Sequence, residues 1–420
     1  MIMKTNYPIL RQILFAAAPL VLLAGCSDKD DPAPIGVAGV EVNRPTLELA
    51  LDGTERLTAT VTPDNAADKT LTWSSSDEAV ATVSSEGVVT AVRAGHATIT
   101  ATAGGRTGTC AVTVNPDIYT AGRGNGVVAS IVPCVVKNNR FLYNLYDEGQ
   151  GGQVNSIFVW NGDVYSLGDR ERETVVWKND TELYTLTTPE NWFVEGYQIA
   201  VLNGDVYASG YAYDGNRYMP VMWKNGTVQF LPSEAKYGFA YSIAVSGRDV
   251  YVAGRNDDTP RVWKNGEVLY DLPYDLYRAE AASLCVSDGD VYVGGFSVGE
   301  KLDSGSSPTV WKNGELLYLL SDYSLDSRVI SIATWKGDVY ALGTLNDGNS
   351  KRNVLWKNDQ LLYDPFVCEY GISVWNGDVY SCYLESDRRT VAHKNGQAIC
   401  VCDQKVAGIF AIYVYTGPER

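Results

Sequence analysis

Histidine is almost absent from this chain of 420 residues, which contains only two. His96 falls in a predicted strand of the N-terminal part, and His393 takes the place of a tryptophan that recurs in the C-terminal repeats. The sequence also lacks the G-x-S-x-G, H-E-x-x-H and phosphate-loop motifs of common enzyme and nucleotide sites. The loop acids at 256–258 and 303–305 lack the spaced ligand set of a calcium loop. These absences predict no metal site and no cofactor.

Positive charge is also scarce. The chain has 34 Lys and Arg against 50 Asp and Glu, which gives a formal net charge of −16. The basic residues are spread along the sequence rather than clustered in patches. Nucleic acids are held largely by clustered cations that neutralise phosphates. The composition therefore predicts that the protein does not bind nucleic acid.

Cysteine is present eight times, yet the number argues against a disulfide framework. One of the eight, Cys26, has a separate predicted role, given below. Seven thiols cannot all be paired with one another. In an exported protein this indicates small buried side chains or a reducing habitat.

The only long hydrophobic run lies at the N-terminus, where Lys4 and Arg11 precede apolar residues 13–25. The run is shorter than the ~20 residues needed to cross a bilayer, so it is typical of a signal peptide. It ends in Leu-Ala-Gly-Cys at 23–26, which resembles the lipobox of bacterial lipoproteins. The resemblance implies cleavage of a signal peptide 1–25 and lipidation of Cys26, which would anchor the protein to a membrane. An ordinary signal peptide with an incidental cysteine is the alternative.

Residues 26–36 are predicted to form a lipidated acidic tether. The run Ser-Asp-Lys-Asp-Asp at 27–31 resembles the signal that directs lipoproteins of one phylum of Gram-negative anaerobes to the outer face of the outer membrane. It implies a lipid-anchored location at the cell surface. The alternative is a solvated linker without targeting information.

Residues 37–115 alternate polar and apolar side chains with period two, between turns rich in Pro, Gly, Asn and Asp. About seven or eight short strands in such a segment predict a β-sandwich. The stretch from Trp73 to Ala101, W-S-S-S-D-E-A-V-A-T-V-S-S-E-G-V-V-T-A-V-R-A-G-H-A-T-I-T-A, resembles the bacterial immunoglobulin-like group 2 family. The resemblance implies a spacer or stalk domain that ends at Asn115.

Residues 116–417 repeat one phrase seven times: G-D-V-Y-x-x-G, then V-W-K-N-G, then L-Y-x-L. Its aspartate recurs every 40 to 48 residues, at Asp117, Asp163, Asp205, Asp249, Asp290, Asp338 and Asp378. Asn-Gly pairs between apolar runs predict two tight hairpins per repeat, and therefore a four-stranded meander. Repeats of roughly 40–50 residues with several short strands are typical of propeller blades.

The two ends of the array complete each other. The chain enters at a second strand, Asp117 to Tyr119, and leaves with a first strand, Gly408 to Ile412. Joining them gives a ring without exposed edges. The fold class is therefore predicted to be all-β, an immunoglobulin-like β-sandwich followed by a seven-bladed β-propeller closed by its N- and C-terminal strands.

The residues that recur in every blade are interpreted as structural, because every blade shares its turns and its packing. The long connections that differ between blades share one face, and they hold aromatic rings beside carboxylates and Arg, a combination that suits sugars or peptides. The alternative is that these rings pack onto the blades below them. The candidate ligand-binding residues are Trp192, Phe193, Tyr211, Tyr213, Tyr218, Tyr237, Tyr274, Tyr277, Arg278 and Tyr323.

Together these features predict an outer-membrane surface lipoprotein without enzymatic activity, whose propeller binds an extracellular glycan or protein while the immunoglobulin-like domain serves as a stalk. The alternative is an enzyme that degrades polysaccharide, a lyase or a hydrolase, because two carboxylates at a channel mouth suffice for such chemistry. The scarcity of histidine disfavours lyase and metal chemistry. A structural subunit of a larger surface complex is a third hypothesis.

Overall fold

The computed structural model describes residues 34–417 except 126–130, 139, 146–150, 275–276, 300–304, 322–325, 347, 365–369, 385–389 and 402–405. Cys26 and the predicted tether up to residue 33 lie outside this part of the chain. The described residues form strands and turns, and among them no helix is long and apolar enough to cross a membrane.

The N-terminal unit is a sandwich of nine short strands. They are β1 (Gly39–Val42), β2 (Thr46–Ala50), β3 (Thr54–Arg56), β4 (Ala59–Thr62), β5 (Thr72–Ser75), β6 (Ala81–Val83), β7 (Val88–Ala91), β8 (Gly95–Ala103) and β9 (Arg106–Asn115). One sheet has the order β2-β9-β8-β5 and a second the order β3-β7-β6, with β1 paired to β4. Apolar side chains at alternate positions, such as Ile99 and Val112, form the core, and Trp73 packs against it.

Twenty-eight further strands follow in the described residues. They are β10 (Asp117–Asn125), β11 (Ile131–Lys137), β12 (Arg140–Asn144), β13 (Gly152–Trp160), β14 (Asp163–Arg170), β15 (Glu173–Lys178), β16 (Thr181–Leu186), β17 (Phe193–Leu202), β18 (Asp205–Tyr213), β19 (Tyr218–Lys224), β20 (Thr227–Phe230), β21 (Gly238–Ser246), β22 (Asp249–Asn256), β23 (Thr259–Lys264), β24 (Glu267–Asp271), β25 (Arg278–Ser287), β26 (Asp290–Val298), β27 (Ser306–Lys312), β28 (Glu315–Leu319), β29 (Arg328–Trp335), β30 (Asp338–Asn346), β31 (Lys351–Lys357), β32 (Gln360–Tyr363), β33 (Ile372–Trp375), β34 (Asp378–Leu384), β35 (Thr390–Lys394), β36 (Gln397–Val401) and β37 (Val406–Tyr415).

These strands form seven four-stranded antiparallel sheets, the blades of a propeller. Blade one has the order β12-β11-β10-β37, and blades two to seven are the successive sets of four from β13 to β36. The first strands of neighbouring blades contact one another in a closed ring, β37-β13-β17-β21-β25-β29-β33 and back to β37. The predicted fold class is confirmed, including the closure, because β37 pairs antiparallel with β10.

One recurrent unit holds the tight turns of each blade. In blade four, Asp249 Oδ2 lies 2.8 Å from Lys264 Nζ, and Asn265 donates its amide N–H to Asp249 Oδ1 at 2.8 Å. Asn265 has a positive φ of 53° and accepts a hydrogen bond from the Val250 N–H. The same ion pair recurs in the other six blades. The recurrent lysine is thus an ion-pair partner in the turn rather than a freely solvated side chain.

The repeated tryptophan joins neighbouring blades. Trp223, Trp263 and Trp311 are almost fully buried. Each indole N–H donates to a backbone carbonyl in the connection that leads into its own blade, at Thr187, Pro232 and Pro273 respectively. A buried indole is stable there because its single donor is satisfied.

The final glycine of G-D-V-Y-x-x-G makes room for a bulge in the first strand of the blade. One residue of this strand is left unpaired in blades two to six, namely Asn155, Tyr197, Tyr241, Ala282 and Ile330. A Cβ on Gly254 would lie 1.9 Å from the Phe239 carbonyl oxygen, two residues before the bulge. Gly168, Gly210, Gly295 and Gly343 face the equivalent oxygens at 1.8 to 2.1 Å.

Replacing Gly254 by Ala should therefore destabilise the protein by about 1–3 kcal/mol or more, because a methyl group would be forced against backbone. Gly151→Ala is the matched control, since its Cβ would meet nothing within 4 Å. Chemical denaturation of both variants measures the difference. Equal stability would show that the bulge does not require the glycine.

Polar side chains link the blades around the axis. Ser242 Oγ accepts the Leu284 N–H at 2.9 Å, and Ser283 Oγ accepts the Ile332 N–H at 3.1 Å. Ser156, Gln198 and Ser331 make the equivalent bond to the next blade. Blades two to six therefore each satisfy a backbone donor of the next blade, which fixes this part of the channel wall.

The sandwich lies against one face of the propeller, the face of the tight turns (the turn face). The Ala94 N–H donates to the Thr416 carbonyl at 2.8 Å, and Ala94 packs with Trp375 and Val414. A cavity of about 330 Å³ at this end is lined by Arg93 of the sandwich together with propeller residues. The opposite face carries the long connections and is called the loop face.

Candidate functional site

A central channel of about 490 Å³ runs along the axis and is lined by the first strands of the blades. Its wall is made mostly of small or apolar side chains, such as Ala282 and Ile330. Charged groups gather above this wall, at the end that opens on the loop face.

Two positions per blade build this mouth. One is the residue two before the bulge, and the other is the residue that follows the repeated glycine on the second strand. The side chains at these positions in blades one to five, called the mouth ring, are Arg123, Gln153, Asp169, Glu195, Tyr211, Phe239, Arg255, Glu280 and Phe296. Contacts cross from blade to blade: Arg123 donates to Gln153, and Tyr211 lies edge-on to Phe239 with centroids 5.2 Å apart.

Two carboxyl groups of the mouth ring have different environments. Burial raises the pKa of Asp169 and the nearby charge of Glu195 raises it further, outweighing the hydrogen bonds from Asn155 and Gln153 and the charge of Arg123. Glu195 accepts a hydrogen bond from the Tyr211 hydroxyl at 2.8 Å. A carboxyl group with a raised pKa beside a second carboxyl group is the arrangement used for acid–base catalysis.

A series of stacked rings leads from the rim of blade three to the channel. Tyr213 stacks on Tyr218 at 4.6 Å, and Tyr218 stacks on Phe239 at 5.2 Å. Phe239 is parallel to Tyr241 within 3°, and Tyr241 lies 5.4 Å from Tyr197. These five rings are called the aromatic ladder. Their faces suit the apolar C–H faces of sugar rings.

Five of the ten predicted ligand-binding residues lie together at this ladder. Tyr213 and Tyr218 belong to it, Phe193 and Tyr237 flank it with exposures of 51% and 44%, and Tyr211 is buried beneath it.

The other five have different positions. Trp192 packs edge-on against Phe230 at 6.0 Å, next to the outermost strand of blade three. Tyr274 is half-buried in the packing between blades four and five, and Tyr277 is exposed. Arg278 stands at the channel mouth over the Phe296 ring. Tyr323 lies outside the described residues.

Sequence reasoning missed the charged groups of the mouth ring and the rings of Tyr197 and Phe239. A signal for them was present in the repeats. The residue directly after the repeated glycine is Arg, Asp, Tyr, Arg, Phe and Thr in blades one to six. A position whose charge varies from blade to blade, within a repeat that is otherwise nearly constant, is a candidate for a functional rather than a structural role.

Comparison with known proteins identifies one of the two units by family. Residues 36–114 match the family described as "Bacterial Ig-like domain (group 2)", so the chain contains this domain, as predicted. The β-propeller domain of the Trilobed protease from Pyrococcus furiosus is similar in structure, with a TM-score of 0.36, 11% identity, and coverage of 79% of this chain and 99% of that one. This similarity is too low to carry a functional argument.

Two curated relatives come from Bifidobacterium longum subsp. longum. An "Alpha-L-arabinofuranosidase" is 48% identical over 92 residues, which are 21% of this chain and 9% of the relative. A "3-O-alpha-D-galactosyl-alpha-L-arabinofuranosidase" is 53% identical over 72 residues, 16% of this chain and 6% of the relative. The chain thus matches less than a tenth of the length of either protein.

These relatives contradict the prediction of a binding protein without enzymatic activity, because both are named as glycosidases. They favour the alternative prediction, an enzyme that degrades polysaccharide. The prediction rested on the absence of a known catalytic motif, and residues that are brought together from different blades form no such motif in the sequence.

Proposed function

We propose that the protein is a glycoside hydrolase that cleaves a polysaccharide at the loop-face mouth of the propeller channel. The observation that carries the proposal is the pair Asp169 and Glu195, in which burial and the neighbouring charge raise the pKa of one carboxyl beside a second carboxylate. The names of the two Bifidobacterium relatives support the same class of reaction.

The two carboxyl groups have complementary roles in this reaction. Protonated Asp169 donates its proton to the departing glycosidic oxygen, which becomes the leaving alcohol. The Glu195 carboxylate either takes a proton from a water molecule whose oxygen adds to the anomeric carbon, or attacks that carbon itself to form a glycosyl ester, which water then hydrolyses with the Asp169 carboxylate as base. The Tyr211 hydroxyl, 2.8 Å from Glu195, orients the carboxylate.

The aromatic ladder supplies the surface on which the sugar chain lies. Tyr213 and Tyr218, with Phe193 and Tyr237 beside them, present ring faces or edges on the loop face. Because the sandwich lies against the turn face, substrate enters the channel from the loop face.

The lyase reaction, an elimination that would need a tyrosine as the base here, is disfavoured at this site. Burial raises the pKa of both Tyr197 and Tyr241, and carboxylates nearby raise them further. A general base is most effective when its pKa lies near the working pH, and these hydroxyls remain protonated there. Hydrolysis by carboxyl groups is therefore the better assignment.

The test is product release from a panel of polysaccharides, including arabinan and arabinogalactan because of the names of the relatives. Purified protein comprising residues 27–420 should generate new reducing ends with at least one of them. Chromatography of the products then identifies the sugar released. An absence of cleavage across the panel, with folded protein, would overturn the proposal.

We also propose that the enzyme is held at the outer surface of the cell by a lipid on Cys26, with the immunoglobulin-like domain as a spacer. Cys26→Ala is expected to abolish incorporation of labelled fatty acid and to release the protein from the membrane fraction, because the thiol is the site of attachment. Ser27→Ala is the matched control and should remain anchored. Membrane retention of the Cys26 variant would contradict the anchor, and resistance of the wild type to external protease would contradict the surface location.

A further inference from the structure

Two arginines lie at the channel mouth on blades four and five: Arg255 of the mouth ring, and Arg278, two residues before Glu280. Arg255 ends above the Phe239 ring with its guanidinium 4.9 Å from the ring centroid, and Arg278 lies 5.4 Å above the Phe296 ring. Stacking on a ring fixes the plane of a guanidinium and leaves its N–H edge free to bind a planar anion. Both guanidinium charges are close enough to Tyr241 to lower its pKa against the larger effect of burial.

The carboxylate beside Arg255 pairs with it only loosely. Glu280 Oε2 is 3.8 Å from Arg255 Nη1, longer than a hydrogen bond, and also accepts the Tyr241 hydroxyl at 3.3 Å. The Arg255 and Glu280 side chains are only 18% and 17% exposed. One negative charge thus stands among two positive ones in a partly dehydrated place.

Two buried donors confirm that the arrangement is incomplete. The Nε atoms of Arg255 and Arg278 are both buried, and neither has a hydrogen-bond acceptor among the described residues. A buried guanidinium donor without a partner is costly, unless a ligand supplies the acceptor. A carboxylate offers two coplanar oxygens, which match the N–H edge of a guanidinium.

We propose that Arg255 and Arg278 form a subsite for the carboxylate of an acidic sugar, a uronic acid unit of the polysaccharide. The subsite adjoins Tyr241, the ring of the aromatic ladder next to Phe239, so a sugar stacked there places its carboxylate at the arginines. This assignment rests on the proposed function, which sets the direction in which the sugar chain crosses the mouth. Binding of the carboxylate can be measured without cleavage.

The experiment compares acidic polymers with their own carboxyl-reduced forms. Polygalacturonate, heparosan and alginate, before and after reduction of the carboxyl groups to alcohols, are tested for binding by affinity electrophoresis. Asp169→Asn protein is used so that no polymer is degraded. At least one acidic polymer should bind at least tenfold more tightly than its reduced form.

The arginine variants identify the subsite. Arg255→Gln and Arg278→Gln should each reduce that preference at least fivefold, whereas Arg217→Gln, the same charge change at a 46% exposed arginine of the loop face, should not. Arg255→Lys keeps the charge but loses the paired N–H edge, so it should recover only part of the preference and controls for misfolding.

The outcomes separate the two proposals. Equal affinity for acidic and reduced forms of all three polymers, or an unchanged preference in both Gln variants, would overturn the subsite. If acidic polymers bind through the arginines and no polysaccharide is cleaved by wild-type protein, the subsite stands and the hydrolase assignment fails.

Discussion

Replacing Asp169 by Asn is expected to lower kcat on the cleaved polysaccharide by about 10²- to 10⁴-fold, the usual contribution of a general acid. The amide keeps the shape of the side chain but cannot donate a proton to the leaving oxygen. Glu195→Gln should cause a loss of similar size, because the second carboxylate is removed. Initial rates of reducing-end release measure both effects.

The pH dependence of kcat/KM tests the role of Asp169 as general acid independently. Asp169 must be protonated to act, so kcat/KM should fall as pH rises through its raised pKa. In the Asn variant this alkaline limb should disappear from the residual activity. Glu173→Gln is the matched control, since this carboxylate of blade two is 55% exposed and paired with Arg170. Full activity in the Asp169 variant would remove it from the mechanism.

Stability should change in the opposite direction to activity. A carboxyl whose folded pKa is raised binds its proton more tightly in the folded state, so its contribution to stability is present at low pH and is lost as pH rises through the folded pKa. Asp169→Asn removes this ionisation and should therefore be at least as stable as wild type at neutral pH.

Deleting residues 406–420 should cause aggregation and abolish cooperative unfolding. The deletion removes β37, which is the first strand of blade one and the neighbour of β13 and β33. It exposes the edge of β10 and the apolar flanks of two blades, and such edges lead to aggregation. It also removes the Thr416 carbonyl that accepts the Ala94 N–H of the sandwich.

Gel filtration and thermal unfolding measure the effect of this deletion. Removal of residues 418–420 alone is the control, because it leaves β37 and Thr416 in place. A truncated protein that stays monomeric and melts cooperatively near the wild-type temperature would contradict the role of β37 as the closure.

Local sequence signals were sufficient for the fold. Asn-Gly turns such as Asn203-Gly204 require positive φ at both residues and do not depend on distant contacts. The closed ring followed from these turns and from the count of repeats. The array begins with a second strand and ends with a first strand, and pairing the two completes a blade. The ion pair of Asp249 with Lys264 was not foreseen, since the two residues lie on different strands of a blade.

The site depends on contacts between blades, which no local pattern records. Asp169 and Glu195 come from the second strand of one blade and the first strand of the next. Sequence reasoning placed the site in the long connections instead. Two of the residues chosen there pack within the protein, Trp192 against Phe230 and Tyr274 against the core of blades four and five. The bulge turns residues such as Tyr197 towards the axis, and its position emerged only from the strand register.

The sandwich joins the propeller at β10, which begins two residues after β9 ends. β10 lies between β11 and β37 and runs from the turn face towards Arg123 at the mouth. In a tethered enzyme gripping a long polymer, tension between the membrane and the substrate would enter along the length of this strand. Such a load shears the hydrogen bonds on both sides of β10 together instead of peeling them one by one. The blade that closes the ring is thus also the blade through which such a load would pass.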